Sequence, residues 1–120
     1  MRSLKSLIEE HEAVWIYCAN ESLQEQFLTQ TEAEGFLARD GRKPTELARE
    51  RLYGINKNMT MGYLSNLAWY SAFQGGTDKP VRIEYDRFIA GDEDYLCHTS
   101  HIKSVTFRNW DLKCLRWLLE

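Results

Sequence analysis

Cysteine is scarce in this 120-residue chain. Its three thiols, Cys18, Cys97 and Cys114, are odd in number and widely spaced. Such a set excludes a disulfide framework and fits reduced thiols in a cytoplasmic protein. No apolar run approaches the length of about 18 residues that a spanning helix needs, so no membrane segment is expected. The opening stretch MRSLKSLIEEHE carries acids where a secretory signal needs its apolar core, which argues against export. Charge of neither sign dominates: 15 basic and 18 acidic residues leave a net charge of −3. That balance lacks the footprint of a dedicated nucleic-acid binder and is too mild for a mimic of DNA. Internal repeats and low-complexity tracts are missing as well. So are the nucleophile elbow G-x-S-x-G and the metalloprotease pattern H-E-x-x-H. No catalytic residue, metal ligand or cofactor is assigned from the sequence.

Apolar side chains are plentiful. The hydrophobic fraction is 43%, and four Trp, six Tyr and five Phe are present. One core in a single domain spanning residues 1–120 follows from that supply and that length. The stripe Leu4, Leu7, Ile8 and His11 predicts a short helix capped by Ser3. AVWIYC, residues 13–18, is β-branched and aromatic on both faces and predicts a strand covered on both sides. Ser22 and Glu25 form a capping-box pair opening a second helix, with Leu23, Phe27, Leu28 and Thr31 at helical spacing and Gly35 as its terminator. PTELARERL, residues 44–52, predicts a third helix with Pro44 near its start.

Beyond Leu52 the texture turns to strands. LYGINK and TMGYLSN flank Asn58 and Met59 as a hairpin. LAWYSAF, residues 67–73, reads as a strand or as a buried helical turn, and QGGTDKP as a turn. VRIEY, residues 81–85, alternates with Val81, Ile83 and Tyr85 inward and Arg82 and Glu84 outward. DRFIAG is one helical turn closed by Gly91. IKSVTF, residues 102–107, predicts a strand, and residues 110–120 a final helix capped by Asn109. The order implies an α+β domain: a small, mainly antiparallel sheet packed with three or four helices.

Four constellations offer chemistry. In ARDGRKP, the cations Arg39, Arg42 and Lys43 around a glycine turn suit an anion, although Asp40-Gly41 is equally ordinary turn chemistry. The run Asp92, Glu93, Asp94 forms a solvated loop, an acidic docking surface or, third in order, a cation site; the alternating acids of a calcium loop are missing. CHTSH brings Cys97, His98 and His101 close in sequence, and Cys18, Cys114 or His11 would be needed to complete a zinc site, whose usual paired spacings are lacking. Trp69, Tyr70 and Phe73 either fill the core or present a stacking face to a base or partner. So many large aromatics predict that one or two are exposed, marking a partner surface or a dimer seam.

The series VWIYC, LQEQFLTQTEAEGF, DGRKPTE, YGINKNMTMGYLSNLAW and VRIEYDRFIAGDEDY, across about residues 12–96, resembles a set of small uncharacterised proteins of phages and prophages of Gram-positive bacteria. The resemblance implies an accessory protein of a mobile element, working in bacterial cytoplasm, and supplies no catalytic residues. The expectation is a non-enzymatic binding protein that docks on and modulates a host protein or a protein–nucleic acid complex, as an anti-defence inhibitor would. Asp92, Glu93, Asp94, Trp69 and Tyr70 are its expected contact residues, and a homodimer is a further option. The alternative is a binder of nucleotides or other small phosphates, using Arg39, Arg42 and Lys43.

Overall fold

A computed structural model describes residues 2–74 and 80–102. Its elements run α1 Leu4–Glu10, β1 Ala13–Tyr17, α2 Glu21–Ala33, β2 Leu37–Ala38, a 3-10 turn Pro44–Glu46, β3 Leu52–Asn56, β4 Thr60–Tyr63, α3 Asn66–Gln74, β5 Val81–Glu84 and α4 Tyr85–Ala90. The strands form one sheet in the order β2-β4-β3-β1-β5. β3 pairs antiparallel with β1 and with β4, while the edge strands β5 and β2 run parallel to β1 and β4. The fold is α+β as expected, with a mixed sheet in place of a mainly antiparallel one. The turn QGGTDKP for the most part, the strand expected at 102–107 beyond Ile102, and the helix at 110–120 lie outside the described residues.

Both faces of β1 are covered, as its sequence requires. Val14, Ile16 and Cys18 join Tyr53, Ile55, Phe27, Leu28, Leu7, Tyr85 and Phe88 in the larger core under α1, α2 and α4. Trp15 and Tyr17 face the opposite way, toward Leu52, Leu64, Ala68 and Trp69. Gly54 stands opposite Trp15 in the β1–β3 register. A methyl there would sit 3.4 Å from the Trp15 ring, in van der Waals contact with it.

Helix boundaries follow local chemistry with two corrections. Ser3 caps α1 as expected, and the Glu34 carboxylate reinforces it by accepting from Leu4 N, Lys5 N and Ser3 Oγ. Gly35 and Gly91 close α2 and α4 at φ of 94° and 89°, where a Cβ would clash with the backbone. The cap of α2, however, is Asn20, whose Oδ1 accepts from Leu23 N at 2.9 Å. Ser22 already lies inside the first turn, so the expected capping box does not form. Residues 44–52 do not make a helix beyond the 3-10 turn, because tyrosine hydroxyls take over the backbone. Tyr63 Oη accepts from Ala48 N, and Tyr53 Oη accepts from Glu50 N while donating to Ala48 O. The ambiguous LAWYSAF segment is helical, opened by Ser65, whose Oγ accepts from Ala68 N.

Candidate functional site

Two neighbouring features at the β5 edge of the sheet concentrate the chemistry of this protein. They arise because the chain after α4 turns back along β5. Glu84 N donates to Tyr95 O, Cys97 N donates to Arg82 O, and Ile83 and Leu96 form an antiparallel bridge.

The first feature is the acidic turn. Gly91 in the left-handed region ends α4 and projects Asp92, Glu93 and Asp94 into solvent. Arg2 supports this turn from behind: its Nη2 donates to Gly91 O at 2.9 Å, and its guanidinium lies 5.7 and 5.1 Å from the ring centroids of Phe88 and Tyr95. The three acids are not equivalent. Asp94 Oδ2 lies 2.7 Å from His98 Nε2, and that hydrogen bond holds the Asp94 carboxyl below its usual range against the opposing effect of desolvation. Asp92 and Glu93 make no side-chain hydrogen bond or ion pair with the described residues. Beside them runs an open groove of about 430 Å³ lined by His11, Val81, Glu93, Asp94, Tyr95 and Leu96. Leu96 is 44% exposed, one of two large aliphatic side chains so placed among the described residues.

The second feature lies where β5 ends. Glu84 reads as outward-facing in the alternation of VRIEY, yet its side chain is only 17% exposed, because residues 95–101 fold over it. One ligating atom each from Glu84, Cys97 and His101 falls within 4.8 Å of the other two. His101 Nε2 and Glu84 Oε1 are 2.7 Å apart. The Tyr17 ring stacks on the imidazole with centroids 4.1 Å apart and planes inclined by 4°. His101 itself sits at φ 59°, a left-handed conformation. Burial, and next the nearby Glu84 carboxylate, push the Cys97 thiol up to about 12. A thiol so held is a poor nucleophile at neutral pH. His98, the sequence neighbour expected to share this cluster, points to Asp94 instead. Cys18 is a buried core residue whose thiol is raised by burial and then by Asp86.

The remaining candidates separate. Trp69 has no exposed surface, so it is no partner anchor. Its indole packs against Trp15, Tyr17 and Phe73. Tyr70 is half-buried on the same helix. The cationic loop is largely self-satisfied. Arg42 Nε donates to Asp40 Oδ2 at 2.7 Å, Arg42 N donates to Asp40 Oδ1, and Gly41 takes φ 91°. Lys43 N donates to Glu46 Oε2, closing the following 3-10 turn. A groove of about 410 Å³ beside this loop is lined by Arg39, Asp40 and Arg42 with Ala38, Leu47, Met61, Gly62 and Tyr63, and contains neither Trp69 nor Tyr70. The cations and these aromatics therefore do not share this groove.

Among the described residues no helix is long and apolar enough to cross a membrane. Compared with protein-family models, with curated proteins and with solved structures, the chain matches none.

Proposed function

We propose that this chain is a small non-enzymatic binding protein of mobile-element type. It docks in the cytoplasm on a host protein or a protein–nucleic acid complex and modulates it. The docking surface is the groove at the β5 edge, and its occupant is a basic segment of the partner carrying an apolar side chain. The observation that supports this reading is the pairing of exposed Asp92 and Glu93, which have no side-chain partner among the described residues, with the apolar floor formed by Val81, Tyr95 and Leu96. Carboxylates on such a rim steer a cationic partner and set specificity, while an apolar contact supplies the anchor. The turn is held in place by Arg2, so little ordering is needed on binding.

Capture from bacterial lysate, with mass identification of the retained proteins, tests the reading. The wild-type chain is compared with the D92N/E93Q/L96S variant at low and high salt. The reading expects a partner retained by the wild-type chain, released by salt and lost from the variant. Identical captures from the two proteins contradict it. Asp94 is left intact because its bond to His98 gives it a structural role.

A further inference from the structure

We propose that Glu84, Cys97 and His101 form a zinc-binding site that fastens the segment after α4 to the edge of the sheet. The inference does not depend on the docking reading.

The residue types fit the metal. A thiolate, an imidazole nitrogen and a carboxylate oxygen are the three protein donor classes that Zn2+ takes. Tetrahedral zinc, with bonds of about 2.0–2.3 Å, places its ligand atoms about 3.4–3.6 Å apart. The three ligand atoms here all lie within 4.8 Å of one another, so a closure of roughly an ångström brings them to bonding geometry. Glu84 and His101 meet at 2.7 Å, so that pair opens by roughly 0.8 Å to admit the ion while Cys97 closes on it. Binding replaces that contact with two metal bonds: the proton held between Nε2 and Oε1 passes to solvent or, by tautomer exchange, to Nδ1, and the Cys97 thiol proton passes to solvent. A water molecule takes the fourth position.

The surroundings act as a support for such a site. Arg87 Nε lies 3.5 Å from Glu84 Oε2, leaving Oε1 to face the cluster. Tyr17 fixes the plane of the His101 ring. Trp69 Nε1 donates to Ser100 O, and Ser100 Oγ bonds both the carbonyl and the amide of Ile102, which shape the loop that carries His101. Cys97 N is anchored on Arg82 O in the bridge to β5. Each ligand is thus held by a neighbour that does not itself bind metal, as outer-shell partners do in zinc sites. The left-handed backbone at His101 has a purpose in this arrangement: it turns the imidazole back toward Cys97 and Glu84.

The full chain, stripped with a chelator and titrated with Co2+ and Zn2+, tests the site. One equivalent of Co2+ is expected to give a thiolate-to-metal charge-transfer band and the visible bands of tetrahedral coordination, both abolished by Zn2+. Zn2+ is expected to raise the melting temperature and to shield Cys97 from iodoacetamide, as mapped by mass spectrometry of the wild-type protein. C97S loses the charge-transfer band. E84Q and H101Q weaken binding by at least about a hundredfold, more than outer-shell changes do. Far-UV circular dichroism of the metal-free variants checks that they fold. An unchanged Co2+ spectrum in C97S, or Cys97 alkylated equally fast with and without Zn2+, overturns the proposal.

Discussion

Trp69 Nε1 donates to Ser100 O at 2.6 Å, joining the only helix described on the second face of the sheet to the segment that carries His101. The bond explains why an indole occupies the centre of this smaller core. Phenylalanine at the position keeps much of the apolar contact but leaves the Ser100 carbonyl without its donor. Trp69→Phe is expected to lower stability by roughly 1.5–3 kcal/mol, from lost volume and a lost, partly buried hydrogen bond. Urea unfolding measures this, and amide exchange should show the amide of Ile102 opening more readily. A change below about 0.5 kcal/mol, the range of ordinary surface substitutions, would mean that the contact is dispensable.

Glu34 ties the end of α2 to the start of α1. Its carboxylate accepts from Leu4 N, Lys5 N, Ser3 Oγ and Gln30 Nε2. Partial burial opposes ionisation, but these donors prevail and hold the carboxyl below its usual value. A pKa lowered on folding contributes stability that is present above the unfolded value of about 4.3 and disappears as pH falls through the folded value. Glu34→Gln should therefore cost about 1–2 kcal/mol at pH 7, in line with a lost helix cap and charge-assisted hydrogen bonds. The gap to the wild-type chain should shrink progressively in melts below about pH 4. A gap independent of pH would show that the charge is irrelevant.

The loop Arg39–Lys43 is a bend stabilised by Asp40 and Gly41. Asp40 is held below its usual range chiefly by the backbone N–H of Arg42, with Arg42's side chain adding to the effect. Thermal-shift screens with mono-, di- and cyclic nucleotides are expected to show no stabilisation, whereas a true ligand at 100 times its dissociation constant adds about 2.7 kcal/mol. A reproducible shift abolished by Arg42→Ala would restore the small-phosphate reading.

Much of the fold is legible in the residues because local rules and packing agree there. The two-faced apolar run of β1, the hairpin around Met59 and the glycine terminators Gly35 and Gly91 all read directly from sequence. Where the reading missed, a distant partner decided. The backbone at Ala48 and Glu50 is claimed by Tyr53 and Tyr63, which no local helix propensity registers. Asn20 and Ser22 are both good caps, and the one preceding the first helical residue prevails. The site was half legible. Cys97 and His101 were visible as metal-type residues, but their third companion, Glu84, lies 13 positions before Cys97 in a strand whose alternation marks it as solvent-facing. The register of residues 95–97 on β5, which buries Glu84, is set by tertiary pairing and leaves no periodic trace in the sequence.

Site-specific photocrosslinking tests whether the proposed docking surface lies at the β5 edge. A photoreactive amino acid is placed at Leu96, beside the acidic turn, or at Leu37 on edge strand β2, the other exposed large aliphatic side chain among the described residues at 48% exposure. In bacterial cells a crosslink is expected from position 96 to a lysine- or arginine-rich stretch of a partner, and none from position 37. Crosslinks that form from position 37 while position 96 stays silent would contradict that location.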